Sequence, residues 1–342
     1  MFQPQFSINN RILSAIGQIE RLYGELQHVR LPDELSQHLK TQCRIALTHY
    51  STAIEGNPLT LDQVSALTLE EKHVGRPRDE KEVANYFALL TQLPRWCKKY
   101  KNRLIPNVIL EAHQQIEAGI VEGSLLGKFR TAQNAIYAGR QMIYLPPEAK
   151  DVPGLVEVLC GWTQTVDLHP ILVAGIFHNQ FVTIHPFMDG NGRSARALSL
   201  YFLVGHHWDF REWVPIDRSY ADDRASYYRH LQQDYSHNYY EGRHQTDFTP
   251  WLEYYVEGLR RILETTLSDL GRYQKRGILL NARQKKILKQ GSHVLITPRA
   301  YAVRFGISGR MATRDLQQLT QWGYLRRMGA GRSVQYLVIG TE

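Results

Sequence analysis

The chain has 342 residues, 43% of them hydrophobic, and a net charge of +8; that length is too great for one simple core and suits two or three folded units. The longest apolar run, Ile171 to Phe177, falls far short of a membrane span, and the opening MFQPQFSINN lacks the basic segment and apolar stretch of a secretory signal, so a cytoplasmic protein with no membrane partner is expected. Cys43, Cys97 and Cys160 are odd in number and form no CxxC pair, which argues against a disulfide framework and a cysteine zinc site.

Residues 9–29 and 33–50 carry helical apolar spacing, with Ile12, Ile16, Ile19 and Leu22 on one face of the first. Leu31-Pro32-Asp33 breaks the chain between them. Asn57-Pro58 ends the second helix, because a residue before proline is pushed out of the α region. Just before that stop the chain reads Ser51-Thr52-Ala53-Ile54-Glu55-Gly56-Asn57. Ser51 and Glu55 are four apart and share a helix face. Leu59–Lys72 and Asp79–Leu93 read as further helices, with Gly75-Arg76-Pro77 as the loop between them.

Residues 105–260 are mostly helical in pattern. The exception is Gln133 to Leu145, which alternates and contains Ala138-Gly139-Arg140, the mark of a hairpin turn between short strands; Pro146-Pro147 closes it. An apolar helix, His169 to Ile184, then leads into His185-Pro186-Phe187-Met188-Asp189-Gly190-Asn191-Gly192-Arg193-Ser194-Ala195-Arg196, and Ser194 to Val204 forms another helix. Gly190-Asn191-Gly192 at a helix mouth can turn several backbone N–H groups toward one point, a nest for phosphate oxygens. Arg193 and Arg196, three apart, would bracket a polyphosphate. Asp189 offers a hard oxygen to Mg²⁺, which needs only one or two carboxylates besides phosphates. His185, held by Pro186, is the one group suited to general-base work near neutral pH.

The basic charge is confined to the end of the chain. Residues 272–335 hold 14 basic residues against one acid, Asp315, leaving 27 basic and 32 acidic residues elsewhere. Residues 281–338 read as helix, helix, helix and two strands, Leu325–Met328 and Val334–Val338, around the turn Gly329-Ala330-Gly331. That order suits a winged helix-turn-helix. Its recognition helix would be Ser308–Tyr324, offering Arg310 and Arg314, and its wing would offer Arg326, Arg327 and Arg332 to DNA. Protein contact is the other reading of such a unit.

Eight positions fixed to one residue type, at about 1 in 20 each, give the central string a chance on the order of 10⁻¹⁰ per start site, so glycines that merely turn the chain do not explain it. The string resembles the Fic-family signature HPFx(D/E)GNGRxxR. That resemblance implies a mainly α fold: a Fic/Fido helical core with a β-hairpin flap, N-terminal helices and a small C-terminal winged helix-turn-helix. The regions expected are 1–104, carrying the segment 51–57; 105–262, the catalytic core; and 272–342. By the same resemblance His185 deprotonates a target hydroxyl that attacks the α-phosphate of ATP, and Asp189 binds Mg²⁺. Asn191 with Gly190 and Gly192 cradles the phosphates, Arg193 orients the β-phosphate side, and Arg196 clamps the γ-phosphate. Gly192 stands where a kinase-like relative has lysine, which favours adenylylation. Gly127-Lys128-Phe129-Arg130 and Tyr144-Leu145-Pro146-Pro147 fit the flap pattern, so the flap 133–145 would hold the target by strand addition; a plain structural hairpin is the alternative.

Ser51 to Asn57 resembles the (S/T)xxxE(G/N) inhibitory signature of Fic proteins, and the resemblance implies that Glu55 takes Arg196 from the γ-phosphate. The run Asp79 to Tyr86 is similar to the same N-terminal region. Tyr227, Tyr228 and Trp251 lie where Fic proteins build the adenine pocket, although aromatics at such spacing also serve cores. His169, His178 and His206 have no partner spacing for a metal and read as structural. The function expected is an autoinhibited protein adenylyltransferase acting on a Ser, Thr or Tyr hydroxyl of a target or of itself, with ATP and Mg²⁺. A nucleotide-sensing DNA-binding regulator and an enzyme that removes AMP are the alternatives. The sequence leaves a homodimer open.

Overall fold

The computed structural model describes residues 2–31, 33–70, 73–232, 236–275, 280–291, 294–321, 324–329 and 334–338. The chain passes through α1 (Asn10–His28), α2 (Asp33–Ile54), α3 (Leu61–Glu70), α4 (Pro77–Lys99) and α5 (Pro106–Ile116) before the hairpin β1 (Ile136–Ala138) and β2 (Gln141–Tyr144). Then come α6 (Val152–Thr165), α7 (Pro170–Ile184), α8 (Asn191–Gly205), α9 (Arg218–Ala221), α10 (Arg224–Gln232) and α11 (Thr249–Lys275). The last elements are α12 (Ala282–Leu288), β3 (Leu295–Ile296), α13 (Pro298–Phe305), α14 (Gly309–Gln321), β4 (Leu325–Met328) and β5 (Gln335–Val338). The fold is mainly helical, with two small sheets among the described residues. No helix among the described residues is long and apolar enough to cross a membrane.

Packing groups the chain into two units, Met1–His28 with Cys43–Leu267, and Val29–Gln42 with Ser268–Glu342. The grouping departs from the regions 1–104, 105–262 and 272–342. Residues 43–104 pack with the core, while Leu35, with Leu31 and Leu39 beside it, joins the apolar cluster of the C-terminal residues. Helical periodicity marks an apolar face without saying which core it fills.

In the first unit, 13 of the 15 residues of α7 are buried. A helix apolar all round must be wrapped on all sides, and α7 packs against α6 and, most extensively, α8. Helices α4 and α5 cover the other side of α8. The site motif joins α7 to α8, so its two flanks are fixed by the best-packed pair in the unit.

Several boundaries differ from the sequence reading. Helix α2 runs to Ile54, and α4 starts at Pro77 and continues through Pro94 to Lys99. Pro77 sits at the first helical position, where its missing N–H costs nothing. Helix α8 begins at Asn191 rather than Ser194, which places Arg193 in its first turn. Residues 71–72, at the expected end of α3, lie outside the described residues.

The second unit runs helix, strand, two helices and two strands, and its sheet has the order β3-β5-β4. The strand β3 went unread because two residues carry no periodicity. Ser308 stands just outside α14, its hydroxyl accepting from the Met311 N–H at 3.2 Å. The wing tip around Ala330, Gly331 and Arg332, Arg276 in the basic stretch, and residues 322–323 at the expected end of the recognition helix lie outside the described residues.

Candidate active site

Helix α7 ends on His185, whose backbone is left-handed (φ 52°, ψ 59°) and whose N–H donates to the Phe181 carbonyl at 3.0 Å. A non-glycine residue there is uncommon and needs support from its surroundings. Arg130, 2% exposed, supplies it. Its Nε donates to the His185 carbonyl and its backbone N–H to the Pro186 carbonyl, both at 2.9 Å. The same guanidinium reaches the carbonyls of Ala132 and Pro147, the two feet of the hairpin. One buried arginine thus ties the motif to the base of the hairpin.

The His185 ring has Nδ1 3.3 Å from the Val182 carbonyl. A proton on Nδ1 would be donated there, leaving the Nε2 lone pair as acceptor. Burial lowers the pKa of this imidazole to about 4, so it is neutral at physiological pH.

The loop that follows is braced from within. Phe187 N–H donates to Asn191 Oδ1, and Asn191 Nδ2 donates to the Phe187 carbonyl, each at 2.9 Å. Both ends of the Asn191 amide are therefore engaged in shaping the loop. His113 stacks on Phe187 at 3.8 Å between centroids, accepts from the Gly127 N–H at 3.0 Å and faces the Asp189 carbonyl at 3.3 Å. Gly190 (φ 77°) precedes α8, whose first-turn N–H groups open onto this loop.

Under the loop lies a cluster of five charged groups that the motif alone did not reveal. Arg193, 3% exposed, has Nη2 2.9 Å from Glu117, Nη1 3.7 Å from Glu82 and Nη2 3.8 Å from Asp189. The Glu117 contact lacks hydrogen-bond alignment, and Arg193 Nε and Nη1 have no hydrogen-bond partner among the described residues. Buried guanidinium donors of this kind can take an acceptor from water or from a ligand. Glu117 is fully buried, and desolvation pushes its pKa up to about 7 despite Arg193. Its carboxylate lies so close to Gly190 that an added Cβ would come within 2.2 Å of it. Arg78, from the first turn of α4, pairs with Glu82 at 3.3 Å and with Asp189 at 3.2 Å.

The other arginine, Arg196, is held by α2. Its Nε donates to Ser51 Oγ at 2.8 Å, and its Nη2 donates to the Ser51 carbonyl at 2.9 Å and to Glu55 Oε1 at 2.7 Å. Burial opposes the charge on Arg196, but Glu55, followed by Tyr227, Tyr86 and Asp217, outweighs it and raises the pKa well above the usual value. Gly192 is where Glu55 comes down: a Cβ there would lie 2.1 Å from its Oε1. The helix stops at Ile54, Gly56 adopts φ 92°, and Asn57 Nδ2 donates to the Asp79 carbonyl and to Glu82 Oε2 at 3.0 and 2.9 Å.

The aromatic candidates separate. Tyr228 donates its hydroxyl to the Ile54 carbonyl at 3.2 Å, beside Glu55, and Tyr227 bridges His178 (2.9 Å) and Arg196 (3.4 Å). Trp251 is fully buried and donates its indole N–H to the Gly175 carbonyl at 2.7 Å. Trp251 thus has a place in the helix packing, where a large ring with one local acceptor is an efficient core filler. His169 contacts Glu20, and His206 contacts the Phe202 carbonyl; no cluster of three or more metal-ligating side chains occurs among the described residues.

In the hairpin, Tyr137 and Met142 are cross-strand partners and are 60% and 43% exposed. Leu145 N–H donates to His237, and Tyr239 N–H donates back to Leu145, so residues 237–239 cover the end of β2. The outer edge of β1 pairs with no strand among the described residues.

Glu117, Glu82, Arg78, His113 and Arg130 are the participants whose roles the sequence did not assign. Glu82 and Arg130 fall inside runs that resembled the family, which was the one available signal.

The Fic/DOC family matches residues 103–203. A protein adenylyltransferase Fic from Culex quinquefasciatus is 26% identical over 257 residues, 73% of this chain and 47% of that protein. Protein adenylyltransferase fic-1 from Caenorhabditis elegans is 28% identical over 232 residues, 66% of this chain and 42% of that protein. The chain therefore spans less than half the length of either relative. Among solved structures, a Fic family protein from Desulfovibrio desulfuricans superposes with a TM-score of 0.69 at 25% identity, covering 98% of both chains. A fragment of Fic-1 from Caenorhabditis elegans gives 0.60 at 23% identity, covering 77% of this chain and 73% of the other.

Proposed function

Residues 103–203 of this chain are a Fic domain, and from that premise we propose that the chain is a protein adenylyltransferase that moves AMP from ATP onto a hydroxyl side chain and is held in check by its own helix α2. The observation that carries the reading is the pairing of a neutral, correctly oriented His185 with Arg193, whose buried donors stand unbonded in the same loop.

In the reaction, His185 Nε2 takes the proton of a Ser, Thr or Tyr hydroxyl on the target. The hydroxyl oxygen forms a bond to the α-phosphorus, and the bond from that phosphorus to the β-bridging oxygen breaks, releasing pyrophosphate. The first turn of α8, from Gly190 through Gly192, offers N–H groups to the phosphates, and Arg193 offers its unbonded nitrogens. Arg196 is the clamp for the γ-phosphate, and Glu55 removes it. Tyr228 closes the pocket beside the end of α2. Asp189, with a half-exposed carboxylate, suits Mg²⁺, which takes one or two carboxylates along with phosphates. Such an ion would supply neutralisation of the polyphosphate charge. The flap 133–145 offers the outer edge of β1 to the target by strand addition. The buried free thiols Cys43, Cys97 and Cys160 suit a reducing, cytoplasmic setting.

The C-terminal unit exposes Arg310 and Arg314 on one face of α14, which supports DNA as a second partner of this enzyme, bound through residues 272–342. The test of the main reading is isotopic. With the Glu55→Gly variant, label in the α-phosphate of ATP should pass to protein, and label in the γ-phosphate should not. Transfer of γ-label, or of neither, would exclude adenylylation.

A further inference from the structure

The expected inhibitory contact acts on the γ-phosphate end of the site. A second contact bears on the other end, at the carboxylate of Asp189. Asp189 Oδ1 accepts from the Gly190 N–H at 2.7 Å, so that oxygen is turned into the loop. Oδ2 is the oxygen left for a cation, and it faces Arg78 Nη2 at 3.2 Å. Arg78 comes from α4, outside the Fic domain, and its Nε is steadied by Glu82 Oε1 at 3.3 Å. The second oxygen of Glu82 accepts from Asn57 Nδ2 at 2.9 Å, and Asn57 follows the end of α2 directly. A continuous set of hydrogen bonds thus runs from the inhibitory segment, through Glu82 and Arg78, to Asp189.

We propose that Arg78 sets the metal affinity of the site by occupying the cation position on Asp189, so that a divalent ion must displace it. The inference rests on the function proposed above, in which Asp189 is the metal ligand. Two cations cannot share one carboxylate oxygen without mutual repulsion, and a guanidinium at hydrogen-bond distance holds the place a metal needs. Asn57 joins this lock to α2: an α2 that stays docked keeps Glu82, and through it Arg78, in position. Coupling of this kind is reciprocal. A metal that moves Arg78 away weakens the hold on the inhibitory segment, and release of that segment favours the metal. Arg78 is 61% exposed, so its pair with Asp189 is screened and modest. The expected effect is a few-fold change in affinity, not an all-or-none requirement.

The test is direct binding of Mn²⁺ to the full chain, read from the electron paramagnetic resonance of the free ion. An ATP analogue with a non-cleavable α,β bridge is present, so no turnover is needed. In the Glu55→Gly background, Arg78→Ala should tighten Mn²⁺ binding by about fivefold, consistent with an exposed ion pair, and Arg78→Gln should do the same. Arg78→Lys should bind as the parent does, and Asp189→Asn should lose the ion. Raising the salt concentration should narrow the difference between Arg78→Ala and its parent, because screening weakens the competing guanidinium. Unchanged or weaker Mn²⁺ binding in both Arg78→Ala and Arg78→Gln would overturn the proposal; weaker binding would assign Arg78 to the phosphates instead. No Mn²⁺ bound by any form, with Asp189 intact, would overturn the metal role of Asp189 in the proposed function and this inference with it.

Discussion

The carboxylate of Glu55 lies 2.7 Å from Nη2 of Arg196, a contact made across 141 residues of sequence. The arginine is fully buried at its side chain while the glutamate is one-third exposed, so the acid is the partner that can leave. Ser51 holds the same guanidinium through both its hydroxyl and its carbonyl, and that grip orients Arg196 whether or not Glu55 is present. In the proposed function, a γ-phosphate arriving at Arg196 would compete with Glu55, the one charged partner of that guanidinium at hydrogen-bond distance among the described residues.

Glu55→Gly should therefore raise AMP transfer, including self-modification, by tenfold or more, equivalent to about 1.4 kcal/mol of removed competition. Arg196→Ala should lose activity, and the double variant should recover little of it, because the residue competed for is gone. Initial rates with labelled ATP decide this. An unchanged rate in Glu55→Gly, or full recovery in the double variant, contradicts an inhibitory role for α2.

His185→Ala should abolish transfer and leave nucleotide affinity within about threefold, since in the proposed mechanism the imidazole serves the hydroxyl and not the phosphates. The low pKa of His185, about 4, gives a second measurement. Between pH about 4 and 6.5 the unfolded chain binds a proton here that the folded chain does not. Stability contributed by this group thus rises with pH through that window and is lost on acidification. An NMR titration of the His185 ring should show no midpoint near 6.5; one found there would remove the structural basis for the base being neutral and ready.

Trp251→Ala should cost about 3–5 kcal/mol of stability, the range for deleting a buried large aromatic, while the folded fraction binds ATP as the parent does. Chemical denaturation and calorimetric titration separate the two effects. Selective loss of nucleotide affinity at unchanged stability would restore Trp251 to the adenine pocket.

Arg310→Ala and Arg314→Ala should each weaken DNA binding and each lower the log–log salt slope by about 1, as expected for a lost phosphate contact. Fluorescence anisotropy on a duplex at several salt concentrations measures both. Finding no salt-dependent affinity in the unmodified chain would leave protein contact as the use of α14.

What the sequence determined by itself lay within contiguous runs. His185 through Arg196 specified a loop between two helices that carries a histidine, a carboxylate and two arginines, because a helix mouth and its flanking glycines are local geometry. Ser51 and Glu55 were legible as one helix face for the same reason. Tertiary structure decided which distant charges meet that loop. Arg78 and Asp189 are 111 residues apart, and Tyr228 reaches Ile54 across 174; helical spacing fixes the face of a residue but not the partner packed against that face. Glu117 shows the limit most plainly. Its sequence context is an ordinary helix end, and only the packing of α5 beneath α8 buries its carboxylate against Gly190 and Arg193. Trp251 shows the same limit: an aromatic at helical spacing looks identical in sequence whether it stacks on a base or fills a core, and its burial with the indole N–H on the Gly175 carbonyl is a tertiary fact.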